Sequence, residues 1–186
     1  MPAKIYIALL RGINVGGNNL LPMKALAAVL ETLGARQVQT YIQSGNAVFQ
    51  SAVKNPLQLS KRLSAEIKKQ HGFEPQVLVL ELDTVKQAAA ENPFPEAEIN
   101  PATLHIGFLA TPATDPDLAK LMSLKTVSER FHLNDRALYL HTPEGFGNSK
   151  LATRAEKHIG VAMTIRNWRT LSKIIEMADA QLAGLA

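Results

Sequence analysis

The order of strand and helix signals in residues 1–93 is repeated in residues 94–186. In each half an apolar strand leads to a helix, a two-stranded hairpin, a second helix and a last strand, and one more helix follows. Corresponding landmarks lie about 84 to 100 residues apart, with Tyr6 aligned to Ile106. This βαββαβ order is the ferredoxin-like pattern. The sequence therefore predicts an α+β protein with an internal duplication, made of two tandem ferredoxin-like halves that are each followed by a helix.

The first and the last predicted strand of the first half are apolar on both faces instead of alternating between apolar and polar. Residues 4–10 and 77–80 carry continuous apolar runs, which are typical of strands covered on both faces. We therefore expect the two halves to pack tightly on each other. The break between them falls at Asn92-Pro93-Phe94-Pro95, which places the first half at 1–93 and the second, with its long C-terminal helix, at 94–186.

Several helix ends carry recognisable signals. Asn55 precedes a proline and Gly72 follows the last apolar position, which predicts a helix between them. Gly160 is the predicted end of a later helix, over residues 148–158. Asp83 and Asp115 are the predicted caps of two further helices, and Asn167 is the predicted cap of the helix that ends the chain.

Composition narrows the class of protein. The chain is 46% apolar and 19% charged, as expected for a globular protein, and it has no cysteine. Disulfides, thiolate metal sites and a cysteine nucleophile are therefore excluded. The apolar run at residues 5–10 is too short for a signal peptide or a membrane span, so we expect a cytoplasmic protein without a membrane partner. Residues 1–93 hold 10 Lys/Arg against 6 Asp/Glu and residues 94–186 hold 10 against 10, a small excess that favours anionic partners slightly.

The sequence lacks the common catalytic motifs. It contains no Gly-x-Ser-x-Gly elbow, no His-Glu-x-x-His helix and no dinucleotide-binding Gly-x-Gly-x-x-Gly. Residues 12–17 have the glycine spacing of a phosphate loop, but Asn18 and Asn19 stand where Lys-Ser/Thr is needed, which excludes a P-loop ATPase. The five histidines show no metal-ligand spacing. We expect no metal and no cofactor, and the residues leave open whether the protein is an enzyme.

Three polar segments at strand ends are candidate binding loops. The first holds Arg11, Asn14, Gly16 and Gly17, where a cation and an amide stand beside flexible backbone; ligand contact and a plain turn explain it equally well. The second is Ser44-Gly45-Asn46, which on its own favours a hairpin turn. The third is Arg166-Asn167-Trp168 at a helix start, where anion binding competes with helix capping and core packing.

The same segments carry a family resemblance. Residues 8–17 (ALLRGINVGG) and 40–46 (TYIQSGN) resemble the bacterial family known as domain of unknown function 1697. The break at residues 92–94 and the block at 164–170 resemble the rest of its signature, so the likeness spans nearly the whole chain. The resemblance implies two ferredoxin-like parts. It implies no activity, and no catalytic residue can be carried over.

Together these observations lead to a functional hypothesis. If the loops converge, Arg11, Asn14, Ser44, Asn46, Arg166 and Trp168 form a polar, cationic pocket for a small anionic or nucleotide-like ligand. Two alternatives remain open. One is a nucleic-acid-binding module, which is weakened by an aromatic content of only 5%. The other is a structural or interaction protein without a small-molecule ligand, and the oligomeric state is open in every case.

Overall fold

The computed structural model describes residues 4–184, which form two four-stranded sheets with six α-helices among the described residues. The strands are β1 (Lys4–Arg11), β2 (Arg36–Tyr41), β3 (Asn46–Ser51), β4 (Gln76–Glu81), β5 (Leu104–Leu109), β6 (Arg130–Leu133), β7 (Ala137–His141) and β8 (Met163–Asn167). The helices are α1 (Met23–Thr32), α2 (Pro56–His71), α3 (Leu82–Ala90), α4 (Leu118–Leu124), α5 (Lys150–Ile159) and α6 (Trp168–Ala183).

The two sheets have the same strand order. The first runs β2-β3-β1-β4 and the second runs β6-β7-β5-β8, and every neighbouring pair is antiparallel. In each sheet the first strand lies in the centre, between the third and the fourth, as the βαββαβ pattern requires. The predicted α+β fold of two ferredoxin-like halves is therefore confirmed.

The strand register corrects one detail of the repeat. Where β1 pairs with β3, the last paired residue of β1 is Leu9, opposite Asn46. Where β5 pairs with β7, the last paired residue of β5 is Phe108, opposite Ala137. The structural offset is therefore 99 residues, and Tyr6 corresponds to His105, not to Ile106. A one-residue shift in alignment moves a side chain to the opposite face of a strand. The core position that Tyr6 occupies in the first sheet is therefore occupied by His105 in the second.

Both faces of the first central strand are buried. Tyr6, Ala8 and Leu10 pack in a core with α1 and α2, and the alternate residues Ile5, Ile7 and Leu9 are also almost fully excluded from solvent. In the second sheet all six residues of β5 are buried, and Leu109 packs with residues of α4 and α5. The apolar run at residues 5–10 is therefore buried on both faces, whereas in the run at residues 77–80 only Val79 is buried and its neighbours are half-buried.

Most predicted helix ends are confirmed. The Asn55 side chain accepts hydrogen bonds from the first turn of α2, and Gly72 and Gly160 close α2 and α5 in left-handed conformation. Two caps differ from expectation. Asp117, not Asp115, caps α4 by accepting from the Lys120 N–H at 2.9 Å. Asp83 lies within the first turn of α3, because that helix already begins at Leu82.

The chain divides into two compact units, which are not equal halves of the sequence. The first unit comprises residues 4–87 together with 173–184, and the second comprises residues 88–172. The division falls inside α3 and inside α6, so most of the C-terminal helix belongs to the first unit. No described helix is long and apolar enough to span a membrane.

Candidate functional site

The loop that follows β1 is a miniature hairpin. Asn18 N–H donates to the Val15 carbonyl at 3.0 Å, and Asn14 N–H donates to the Asn19 carbonyl at 3.1 Å. Gly16 and Gly17 at its tip have φ angles of 58° and 79°, the pair of positive angles that a type I′ turn requires. The two glycines therefore close a tight, exposed turn, and residues 20–22 separate the hairpin from α1.

Asn14 joins this hairpin to the turn between β2 and β3. Its amide nitrogen donates to the Leu21 carbonyl at 2.9 Å and to the Gln43 carbonyl at 2.8 Å, and its amide oxygen accepts from Leu21 N–H at 2.8 Å. Both amide hydrogens are thus used inside the protein. The side chain predicted to contact a ligand has a clear role in holding two loops together.

The β2–β3 turn is fitted closely against the end of β1. Its Gly45 carbonyl accepts from Leu10 N–H at 2.8 Å, and Gly45 has a φ of 83°. A Cβ atom at this position would lie 2.7 Å from both Leu10 Cβ and Ile13 Cδ1. Asn46 is fully buried and donates to the Tyr41 carbonyl and the Ser44 hydroxyl, both at 3.0 Å. Gly45 and Asn46 therefore shape the turn from within, while Ser44 lies on the surface.

The backbone of this turn is strained at an exposed residue. Ile42 has a φ of 47°, although left-handed conformation costs a β-branched residue roughly 1–2 kcal/mol. Its side chain is 49% exposed, so deep burial does not explain the conformation. Such strain is found preferentially where loops serve a function. We refer to residues 11–21 and 42–45 together as the loop platform.

Arg11 supplies the positive charge of the loop platform. It is the last residue of β1, it is exposed, and its Nη1 lies 3.4 Å from the Gln76 side-chain oxygen. The hairpin that follows is fastened at its base, because the Asn19 amide donates to the Gly12 carbonyl at 2.8 Å. Arg11 thus projects from a strand end whose next residue is fixed in place.

The third predicted segment lies in the second unit. Arg166 is half-buried on β8, opposite Ile106, and its Nη1 donates to the Ile165 carbonyl at 3.0 Å. Burial lowers the pKa of the Arg166 guanidinium to about 10, so it stays charged at neutral pH. Asn167 caps α6 through its amide oxygen, which accepts from Thr170 N–H at 2.8 Å, and Trp168 is the half-buried first residue of that helix.

The break segment after α3 is also ordered by specific contacts. The Asn92 side chain accepts from Phe94 N–H at 3.0 Å, and the Arg130 guanidinium lies 4.6 Å above the Phe94 ring. Arg130 also pairs with Glu96 at 2.5 Å and lies 3.0 Å from His141 Nδ1. Burial and the neighbouring Arg130 hold the pKa of His141 below its usual value. This segment is therefore anchored within the second unit.

The structure separates the candidate residues into two groups by unit. Arg11, Asn14, Gly16, Gly17 and Ser44–Asn46 are brought together in the first unit, whereas Arg166–Trp168 lie in the second. The joint pocket of both groups stays a prediction. Sequence reasoning missed Ile42, because nothing in the sequence indicates a positive φ at an isoleucine. It also missed the structural role of Asn19, whose hydrogen bond to Gly12 forms only in the folded loop. Within the described residues, no group of three or more acidic or histidine side chains is placed to hold a metal ion.

Comparisons with known proteins agree with this description. Residues 3–139 match the family described as Protein of unknown function (DUF1697). The whole fold is similar to the solved structure of a conserved bacterial protein from Streptococcus pneumoniae, with a TM-score of 0.74 and 26% sequence identity. That similarity covers 95% of this chain and 99% of the other. A search of the curated proteins gives no match.

Proposed function

The chain belongs to the DUF1697 family, whose function is unknown, and we propose that it binds a small anionic or nucleotide-like ligand at the loop platform. One observation supports this proposal most directly. The side chain of Asn14 fixes two exposed, polar loops to each other beside Arg11, with hydrogen bonds of 2.8–2.9 Å. Loops that are held in place before a ligand arrives lose little conformational entropy on binding.

The strain at Ile42 favours the same interpretation. A surface turn that served only to connect two strands could use a residue that tolerates a φ of 47°, such as Asn or Gly. An exposed isoleucine in this conformation lowers stability without a visible packing gain. If the turn binds a ligand, the isoleucine is retained for binding although its conformation lowers the stability of the protein.

The charges and hydrogen-bonding groups of the platform fit an anion. The platform segments contain Arg11 but no Asp, Glu or His, so nothing within them repels a carboxylate or a phosphate. They also contain no acid–base pair. Any catalysis at this place would rest on positioning and electrostatic stabilisation of the bound anion.

The nucleic-acid alternative receives no support from the sheet surfaces. RNA-binding ferredoxin-like domains stack bases on exposed aromatic side chains of their central strands. Here the aromatic residues of the four central strands, Tyr6, Phe49, Phe108 and Tyr139, are at most 2% exposed. A small ligand at the loops therefore remains the preferred function, and short oligonucleotides belong in the test.

A thermal-shift screen tests the proposal. The purified protein is compared with and without nucleotides, phosphosugars, carboxylates and short single-stranded oligonucleotides. A ligand present at a hundred times its dissociation constant adds about 2.7 kcal/mol, which raises the midpoint of a chain of this size by roughly 5–10 °C. Each ligand that gives a shift is then tested on Arg11→Ala.

The matched control is Arg62→Ala. Arg62 is an exposed arginine of the same unit, but it lies on α2, away from the platform segments in the chain. We expect Arg11→Ala to abolish the shift and Arg62→Ala to keep it. Equal loss in both variants would indicate a general charge effect, and no shift with any anion would overturn the proposal. Arg166→Ala is less informative, because truncating a half-buried arginine lowers stability by itself.

A further inference from the structure

Large apolar side chains are exposed on the loop platform. Val15, Leu20 and Ile42 are 67%, 64% and 49% exposed, which places them among the most exposed large hydrophobic residues of the described chain. Val15 directly follows Asn14, and Ile42 directly precedes Gln43, whose carbonyl the Asn14 amide binds at 2.8 Å. The platform thus combines loops that are hydrogen-bonded to each other with apolar side chains that are exposed to solvent.

Leu20 is linked to Arg11 through a hydrogen bond between their neighbouring residues. Leu20 directly follows Asn19, whose amide donates at 2.8 Å to the carbonyl of Gly12, the residue after Arg11. The apolar side chains and the arginine are therefore carried by adjacent, hydrogen-bonded pieces of backbone. Exposed hydrophobic residues that occur singly need no explanation, but three of them on two polar loops that are hydrogen-bonded to each other favour a binding surface.

The stretch of sequence that contains the loop platform is predominantly basic. Residues 4–65 contain seven Lys/Arg and a single acidic residue, Glu31. In addition to Arg11, the exposed Lys24 lies in the first turn of α1, directly after the loop platform. Such a stretch favours a negatively charged ligand over a neutral or a cationic one. The whole-chain net charge of +4 conceals this asymmetry, because acidic residues are concentrated further along the chain.

We propose that the ligand of the loop platform is an amphipathic organic anion, in which a carboxylate or phosphate head is joined to an apolar alkyl or aryl body. This inference rests on the function proposed above and narrows it. Arg11 binds the head, and Val15, Leu20 and Ile42 contact the body. Because most residues of the platform are exposed, the ligand lies on the surface with one side of its apolar body covered.

A series of straight-chain carboxylates from butanoate to decanoate tests this inference by calorimetric titration. Complete burial of a methylene group increases affinity about fourfold, and one-sided cover increases it about twofold. We therefore expect the dissociation constant to fall about twofold per added methylene group. The matching straight-chain alcohols, which lack the charge, should bind at least tenfold more weakly than the carboxylates of equal length.

Three variants show which side chains contact the apolar body and the charged head of the ligand. Leu20→Ser should flatten the dependence on chain length, and Arg11→Gln should weaken all carboxylates by a similar factor while the dependence on length is retained. Leu57→Ser is the matched control, because Leu57 is 61% exposed on α2 of the same unit. It should leave both the affinity and its dependence on length unchanged. Circular dichroism and the melting midpoint confirm that each variant is folded.

The outcomes separate this inference from the proposed function. If short and long carboxylates bind equally and Arg11→Gln removes both, the platform binds anions but the amphipathic ligand is wrong. If chain length matters but Leu20→Ser has no effect, or Leu57→Ser has the same effect, the apolar contact lies elsewhere and the inference is also overturned. If no carboxylate binds and the thermal-shift screen detects no other anion, both proposals fail.

Discussion

The turn between β2 and β3 and the turn between β6 and β7 occupy the same position in the two sheets, but they are closed in different ways. Each accepts a hydrogen bond from the end of the central strand, from Leu10 N–H to Gly45 in one and from Leu109 N–H to Arg136 in the other. The second turn is closed locally, because the Asn134 side chain accepts from the two nearby N–H groups of Arg136 and Ala137 at 3.0 and 2.8 Å.

The first turn depends instead on a distant segment and on unusual backbone angles. Asn14 reaches it across 29 positions of sequence, and both Ile42 and Gly45 have positive φ angles. No described residue from 133 to 137 has a positive φ. The same fold position is therefore closed mainly by its own residues in the second sheet and by a distant segment in the first. The following experiments test that difference.

Gly45→Ala should have the largest effect. The new Cβ would approach Leu10 Cβ to 2.7 Å at a φ of 83°, and neither the strand nor the turn can move far. Overpacking and left-handed strain together should lower the free energy of unfolding by about 3 kcal/mol, measured by urea titration. The control is Asp135→Ala in the exposed second turn, which should change stability by less than about 0.5 kcal/mol. Equal effects would remove the contrast between the turns.

Acid should destabilise the second unit more than the first. Tyr6 and His105 occupy equivalent core positions, but the Tyr6 hydroxyl donates to the Val53 carbonyl at 2.7 Å, whereas His105 Nδ1 is buried without a hydrogen-bond partner. Burial lowers the pKa of His105 from 6.5 to about 4. Between these pH values the unfolded chain binds a proton that the folded chain does not, so stability falls as the pH falls.

The expected loss from pH 7 to pH 4 is about 3 kcal/mol. Amide hydrogen exchange at decreasing pH should show β5 losing protection before β1. His105→Leu should remove most of this pH dependence, because it eliminates the group that titrates. An unchanged pH profile in His105→Leu would show that other groups cause the acid sensitivity.

Replacing the asparagines that close the two turns should give an intermediate effect. Asn14→Gly keeps the positive φ of 54° accessible but removes three hydrogen bonds, so we expect a loss of about 2 kcal/mol together with loss of ligand binding. Asn134→Gly removes two local hydrogen bonds and an exposed one to Glu91, and it should cost about 1 kcal/mol without affecting the ligand. Denaturant titration and the thermal-shift screen measure both quantities.

Ile42→Asn should have the smallest effect and the opposite sign. Asparagine tolerates left-handed conformation, so the substitution should raise the free energy of unfolding by about 0.5–1 kcal/mol while weakening the ligand. Ile99→Asn is the control, because Ile99 is 91% exposed and is absent from the residues with positive φ. A gain in stability without any change in binding would mean that the strain has no role in function.

The sequence predicted the elements well where the physical signal is local. Asn55, Gly72 and Gly160 mark helix ends in the structure as they do in the sequence, because capping depends on neighbouring residues. The alignment of Tyr6 was wrong by one residue, since register is decided by pairing across strands. The bond from Asn14 to Gln43 was not predictable for the same reason: it joins segments whose proximity exists only after the sheet has formed.

The roles of the candidate site residues were also only partly predictable from the sequence. Polar, glycine-bearing loops were recognised as the distinctive segments, but their residue types could not show which side chains hold the loops and which face solvent. Asn14 and Asn46 have equally suitable chemistry for a ligand, yet their amides are bonded within the protein. The positive φ of Ile42 and the equivalence of Tyr6 with His105 likewise depend on the folded backbone.

The contact between Gln181 and Gln37 has a consequence for the order in which the two units fold during synthesis. The Gln181 amide donates to the Gln37 carbonyl at 2.6 Å, where the edge strand β2 is bulged, and Lys86 pairs with Asp179 at 2.5 Å. Residues 173–184 leave the ribosome after all the other parts of both units. The second unit, which is continuous in sequence, can therefore complete its fold during synthesis before the first unit does. Until α6 emerges, the edge of β2 lacks the side chain that covers it, and a nascent chain at that stage is most exposed to strand-to-strand association.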